Sequence, residues 1–190
     1  MKKVLVIVDP QNDFITGTLA VKGAKEKMLK LSDYIAKEGN SYDSILITID
    51  NHPENHSSFK ENGGIWPQHC VEFSNGWRIP NYLSSVLLLT TKAAVECYFK
   101  GTEADHEEYS ILDNDDDGHE FRVYLEELDI QGGLEIHICG IAGDYCVLET
   151  LKGLNKLFDN ITVLSDYTAS IDGGIALNEY ISKHSNIKLV

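Results

Sequence analysis

The feature that most constrains the fold is a series of short apolar runs, rich in β-branched residues and spaced along the whole chain. The runs are KVLVIVD (3–9), SILITID (44–50), AVECYF (94–99), LEIHICG (134–140), NITVLSD (160–166) and a final NIKLV. Continuous apolar runs of this length are typical of strands that are buried on both faces of a sheet. Each run is therefore predicted to be a strand, although the apolar stretches between 77 and 100 leave the strand boundaries there open.

Helical patterns lie between these strands. Met28, Leu31, Ile35 and Ala36 recur at helical spacing before Gly39, and further helices are expected from about Asp144 and over IALNEYISKHS. Strands that alternate with helices require crossover connections. The sequence therefore predicts a three-layer α/β/α sandwich with a mostly parallel central sheet, and 190 residues suit a single domain over 1–190.

Charge and hydropathy exclude several classes of partner. The net charge of -14 disfavours nucleic acid and anionic membrane surfaces, which both require clustered Lys and Arg. The apolar run after the basic start ends at Asp9 and Pro10, which is too early for a signal-peptide core. We therefore expect a cytoplasmic protein whose four cysteines are free thiols. The sequence leaves open whether it forms a homo-oligomer.

The carboxyl ends of the predicted strands carry the residues that can do chemistry, as expected for open α/β sheets. Asp9, Lys100 and the loop GIAGDYC each follow a strand, and Cys146 begins a helix. Taken singly, each has an ordinary structural explanation: a turn aspartate, a solvated lysine and a buried cysteine. Together they form a thiol whose thiolate the helix N-terminus favours, a carboxylate that can take its proton, and a lysine that holds both anions.

A second group of residues suits a metal ion. Asp50 and His52 are followed by His56, and His69 lies in WPQHC. Aspartate and imidazole ligands at short spacing favour a divalent first-row metal, with zinc the first choice and Fe²⁺ or Mn²⁺ as alternatives. A chance clustering of loop histidines is the competing explanation.

The acidic stretch DNDDDGHE (113–120) matches only the first half of a calcium-binding EF-hand loop. The twelfth position of such a loop is a bidentate Glu, but here it is Tyr124. We therefore interpret the stretch as a solvated turn before a helix. No glycine pattern matches a nucleotide-binding fingerprint either.

Five motifs in order along the chain resemble those of the isochorismatase-like cysteine hydrolases, and among them the nicotinamidases (pyrazinamidases). They are VDPQNDF with GTLAVKGA, IDNHPENHSSF, WPQHCV, FKGTEADHEEYS and GIAGDYCV. The resemblance runs nearly end to end. It departs from the family at Gly143, where many nicotinamidases have Thr, and at Lys22, which replaces a frequent Pro.

The resemblance implies roles for individual positions. Asp9, Lys100 and Cys146 fall on the catalytic triad, and Asp50, His52 and His69 fall on the metal ligands. His56 occupies a further histidine position in or near the metal shell of some members. The remaining implied positions are Phe14 and Trp66 in the ring pocket, a cis peptide at Ile141-Ala142, and an oxyanion hole formed by the amides of Ala142 and Cys146.

The activity implied by the resemblance is metal-dependent hydrolysis of nicotinamide to nicotinate and ammonia through a thioester, in NAD salvage. The partner is therefore expected to be a small carboxamide. The alternatives are a hydrolase of the same superfamily that acts on another small amide or on isochorismate, and a non-catalytic metal-binding module. Isochorismatases generally lack the metal ligands, so Asp50, His52 and His69 argue against that branch.

Overall fold

A computed structural model describes residues 1–89 and 91–190 of the chain. Its centre is a six-stranded sheet in the order β3-β2-β1-β4-β5-β6, and every pairing of neighbouring strands is parallel. The strands are β1 (Lys2–Val8), β2 (Ser44–Asp50), β3 (Ala94–Lys100), β4 (Leu134–Ile141), β5 (Ile161–Ala169) and β6 (Ile187–Leu189). The parallel sheet predicted from the apolar runs is confirmed.

Helices cover both faces of this sheet. They are α1 (Asn12–Ile15), α2 (Ala24–Glu38), α3 (Asn81–Leu89), α4 (Asp117–Ile130), α5 (Cys146–Asn155) and α6 (Ile175–Ser182). Apolar side chains of α1, α2 and α3 pack with Leu5 and Ile7 of β1. Those of α4, α5 and α6 pack with Val4 and Val6 on the opposite face. Alternate residues of β1 therefore belong to two separate hydrophobic cores, because successive side chains of a strand point to opposite faces.

Burial differs from the sequence-based expectation at two places. Ala36 is exposed, and the buried face of α2 is completed by Ala24 and Ser32 instead. Strand β3 is buried on only part of its length, because it forms an edge of the sheet and has a neighbour on one side only. Its run AVECYF therefore carries an exposed cysteine, Cys97.

The segment between 77 and 100 contains α3 followed by β3, with Thr90 outside the described residues. The apolar residues of α3 do not follow one burial pattern, so they do not indicate where the helix ends and the strand begins. Leu83 and Leu87 are buried, whereas Leu88 and Leu89 are exposed. No helix in the described part of the chain is long and apolar enough to span a membrane.

Candidate active site

Three side chains from three strand ends meet in the buried centre of the site. The ammonium Nζ of Lys100 lies 3.0 Å from Asp9 Oδ2 and 3.6 Å from Cys146 Sγ. Lys100 and Asp9 have no solvent exposure, and Cys146 is 6% exposed. They are brought together because β1 and β4 are adjacent in the sheet and β3 ends two strands away from β1. The structure therefore brings the thiol, the carboxylate and the lysine together.

Lys100 also joins this group to Asp50. The two residues are register partners at the ends of β3 and β2, and Nζ of Lys100 donates a hydrogen bond to Asp50 Oδ1. Burial disfavours the ammonium, but the carboxylates of Asp50 and Asp9 outweigh it and raise the pKa of Lys100 well above its usual range. The lysine therefore stays charged between two carboxylates.

The two carboxylates respond differently to burial. Burial raises the pKa of Asp9 to about 6, against the attraction of Lys100, and the charge of Asp50 adds to the rise. At Asp50 the same burial is outweighed by Lys100 and His52, and the pKa lies well below its usual range. Asp9 is thus suited to exchanging protons near neutral pH, whereas Asp50 remains ionised.

The protonation of Cys146 is set mainly by burial. Cys146 is the first residue of α5, as predicted, and the helix start was expected to favour the thiolate. Burial nevertheless raises the pKa of this thiol well above its usual range; Lys100 opposes the rise, and Asp9 adds to it. The resting thiol is therefore protonated and requires a neighbouring base. Asp9 is close enough to serve, since ligand atoms of Asp9, Asp50 and Cys146 all lie within 4.8 Å of one another.

In the loop before α5 and at the first residue of that helix, the backbone amides of Ala142, Asp144 and Cys146 have no acceptor among the described residues. The peptide bond between Ile141 and Ala142 is cis, as the resemblance implies. Gly143 has a steric reason to be glycine, because a Cβ there would lie 2.1 Å from Oγ of Ser170. The loop can therefore bring the amides of Ala142 and Cys146 close to a bound carbonyl oxygen.

A metal-binding geometry is present beside these residues. One ligand atom each from Asp50, His52 and His69 lies within 4.8 Å of the others, and all three residues are buried. The Nδ1 atoms of His52 and His69 donate hydrogen bonds to the carbonyls of Gly101 and Pro67, both at 2.8 Å. These bonds leave each Nε2 as the ligand atom, and that of His52 is buried with no hydrogen-bond partner, 3.6 Å from Oδ2 of Asp50. The donor set fits a divalent ion such as zinc.

His56 lies next to this group but outside it. Its ring is 4.0 Å from that of His52, at an angle of 30°. Nε2 donates to the carbonyl of His106 at 3.0 Å, and Nδ1 accepts from Ser58 Oγ at 2.8 Å. Both ring nitrogens of His56 are therefore engaged, and neither is presented to the three other ligands.

A small cavity opens onto Cys146, and both residues expected in a ring pocket, Phe14 and Trp66, line it. Sequence reasoning missed several further lining residues: Leu19, Val21, Glu107, Tyr109, Tyr145 and Ile171. Trp66 Nε1 donates to the hydroxyl of Tyr109 at 3.1 Å. Glu107 and Tyr109 fall within the motif FKGTEADHEEYS, so that motif was the signal that could have identified them.

Gln11 supports the site from the motif VDPQNDF, in which sequence reasoning gave it no role. Its side-chain amide donates to the carbonyl of Asp50 at 2.8 Å, and its oxygen accepts from the N–H of Asp50 at 2.9 Å. Gln11 thus fixes the backbone of Asp50 at the point where β2 ends.

Comparisons with known proteins agree with this geometry. The family model of the isochorismatase domain matches residues 3–175. The nicotinamidase/pyrazinamidase of Mycobacterium tuberculosis is 32% identical, and the alignment covers 89% of this chain and 87% of that protein. The pyrazinamidase of Pyrococcus horikoshii, solved in complex with zinc, is 34% identical over 100% of this chain and 99% of its own, with a TM-score of 0.76.

A second similar structure is the yeast nicotinamidase bound to the inhibitor nicotinaldehyde. It is 28% identical, with a TM-score of 0.81 and coverage of 99% of both chains. Sequence and structure thus agree over nearly the whole chain, and on this evidence the chain belongs to the isochorismatase family and, within it, to the nicotinamidase and pyrazinamidase group.

Proposed function

We propose that this protein is a nicotinamidase, one hydrolase domain that converts nicotinamide to nicotinate and ammonia. The observation that supports this most strongly is Lys100 itself. It contacts Asp9, Cys146 and Asp50, and so joins a nucleophile and its base to a residue of the metal-binding group. To cleave the carboxamide of a heteroaromatic ring and also hold that ring, an amide hydrolase needs the nucleophile with its base and the metal-binding group within a few ångströms of one substrate.

The first half of the reaction forms a thioester. Asp9 takes the proton of the Cys146 thiol, and Sγ attacks the carboxamide carbon, so that an S–C bond forms and the carbonyl electron pair moves onto oxygen. The amides of Ala142 and Cys146 donate to that oxyanion, and losing one such donor costs about 3–4 kcal/mol in comparable enzymes. The C–N bond then breaks as Asp9 returns its proton to nitrogen, and ammonia leaves.

The second half returns the enzyme to its starting state. Water attacks the thioester carbonyl and gives one proton to Asp9, and the S–C bond breaks to release nicotinic acid, which loses its remaining acidic proton to solvent as nicotinate. The thiolate of Cys146 recovers a proton from Asp9. Throughout, Lys100 balances the negative charge that alternates between the carboxylate of Asp9 and the sulfur of Cys146.

Asp50, His52 and His69 would hold one divalent ion, with zinc as the first choice because two of the three ligands are imidazoles. When bound, the ion would supply an open coordination position for a ring nitrogen. Phe14 and Trp66 offer apolar surface for the ring on the walls of the same cavity. Orientation of this kind lowers the entropic cost of bringing the carboxamide to Cys146.

The test is ammonia release from nicotinamide, measured before and after chelation, with re-addition of zinc, and repeated with Cys146→Ala. We expect release that chelation abolishes and zinc restores, and no release from Cys146→Ala although its zinc content is unchanged. No release from zinc-loaded wild type would remove nicotinamide as the substrate. Turnover by Cys146→Ala would remove the thioester scheme.

A further inference from the structure

One buried carboxylate of the site has no role in the reaction described above. Glu108 is 3% exposed, and it forms no salt bridge in the described part of the chain. Its Oε2 accepts a 2.6 Å hydrogen bond from the backbone N–H of Gly101 and a 3.0 Å bond from Asn114 Nδ2. A buried carboxylate held mainly by backbone and amide donors is costly, so its contacts call for an explanation.

The first contact leads to the metal-binding group. Gly101 adopts a φ of +64°, and its carbonyl accepts from His52 Nδ1 at 2.8 Å. A Cβ at this position would lie 2.4 Å from Cε1 of His52, so the peptide and the imidazole ring are in close contact. The bond to the N–H of Gly101 therefore anchors the residue whose own carbonyl, in the following peptide, orients the ring of His52.

A further contact, made by the backbone of Glu108, leads to the triad. The backbone carbonyl of Glu108 accepts a hydrogen bond from Lys100 Nζ at 3.2 Å. Lys100 also contacts Asp9, Asp50 and Cys146, so this carbonyl is the backbone partner among the contacts of the ammonium. Glu108 thus contacts Lys100 through its backbone carbonyl and Gly101, the hydrogen-bond partner of His52, through its side chain.

Glu108 is itself held in place from α4. Asn114 Oδ1 accepts from the N–H groups of Asp116 and Asp117 at the start of that helix, which directs Nδ2 of Asn114 towards Glu108. The resulting chain of hydrogen bonds runs from the helix start through Asn114, Glu108 and Gly101 to His52.

We propose that Glu108 is a positioning residue that sets the orientation of His52 for the metal and the place of Lys100 in the triad. The proposal builds on the proposed function, because it assigns a residue to the same site. Loss of partners that orient metal ligands typically lowers metal affinity or activity by about 10–100-fold. The position of the acceptor atom matters for this role, and the charge does not.

Two substitutions separate position from charge. Glu108→Asp keeps the charge but withdraws the carboxylate from Gly101 by one methylene. Glu108→Gln loses the charge, keeps an oxygen where Oε2 stands, and gives up only the longer 3.3 Å bond that Oε1 accepts from Nδ2 of Asn114. We expect the zinc dissociation constant, measured by competition with a chromogenic chelator, to rise about 10–100-fold in Glu108→Asp and to stay near wild type in Glu108→Gln. In zinc-saturated protein, kcat for nicotinamide should fall in Glu108→Asp more than KM changes.

Asp117→Asn is the matched control. Asp117 Oδ2 accepts from the N–H of Phe99 at 2.5 Å, so it is a second carboxylate that holds the backbone of β3. The side chain of Phe99 is partly exposed and lies outside the cavity. Asp117 donates to Asn114 through its backbone N–H, which the substitution keeps, so Asp117→Asn should leave zinc affinity unchanged. Unfolding curves for all three variants show whether they are folded.

The outcomes decide the proposal independently of the substrate. The reverse order, with Glu108→Gln the weaker zinc binder, would overturn it in favour of a role for the charge, and unchanged zinc affinity in a folded Glu108→Asp would overturn it outright. If wild type releases no ammonia but Glu108→Asp still loses zinc affinity, the proposed function fails and the positioning role stands.

Discussion

Replacing Lys100 with methionine tests the electrostatic account of the site, because methionine keeps much of the side-chain length and removes the charge. Lys100 Nζ lies 3.0 Å from Asp9 Oδ2, and at an effective dielectric constant of about 20 that contact alone corresponds to about 5 kcal/mol of Coulomb attraction. Removing one partner of a buried ion pair costs about 3–5 kcal/mol, because the remaining charge is left uncompensated. In Lys100→Met two carboxylates, Asp9 and Asp50, are left in this state.

The expected loss depends on pH, and its sign follows from the pKa of Asp9. That pKa is about 6 in the folded protein and thus above the usual 3.8, so ionised Asp9 already costs stability above pH 6. Without Lys100 the pKa of Asp9 should rise further. The stability lost by burying ionised Asp9 should then be regained as the pH falls and Asp9 takes up a proton. Lys100→Met should therefore be destabilised by about 3–5 kcal/mol at pH 8 and by clearly less at pH 5.

The assay is urea unfolding of metal-free wild type and Lys100→Met at both pH values, followed by fluorescence. Lys2→Met is the control, because Lys2 forms a 2.8 Å pair with Asp43 on the surface, where solvent screens the interaction. A loss in Lys100→Met that equals that of the control, or that grows as the pH falls, would refute the reasoning.

Three further predictions follow from the same geometry. In the wild type, kcat/KM should rise with pH through about 6, because only ionised Asp9 can take the proton of Cys146; a profile that is flat from pH 5 to 8 would contradict this role. His69→Ala should weaken zinc binding measured by chelator competition, whereas His56→Ala, with both ring nitrogens engaged elsewhere, should affect it much less; equal losses would make His56 a ligand. Gly143→Thr should lower the free energy of unfolding by about 1–3 kcal/mol through overpacking against Ser170, and adding Ser170→Gly should recover most of it; no recovery would place the strain elsewhere.

Local pattern alone predicted the strands and most helices of the fold, but not α1 or α3. The strand over 44–50 has the bounds of β2, and the run at 94–99 lies within β3, because continuous β-branched runs and helical spacing are properties of neighbouring residues. The family motifs, read in order, also directed attention to Asp9, Lys100 and Cys146 at strand ends. The structure brings these three residues together, and their roles in the reaction remain predictions.

Only the tertiary structure decided which strands are neighbours and which side chains are buried. The order β3-β2-β1-β4 places Lys100 opposite Asp50, and no local pattern encodes which strands are neighbours. Burial, which depends on everything packed around a group, outweighs the helix start at Cys146 and raises the pKa of its thiol. The acidic turn before α4 was expected to be solvated, yet Asn114 within it holds Glu108. The sequence by itself thus determined the elements and the candidate chemistry, whereas non-local packing determined which groups touch and which carry charge.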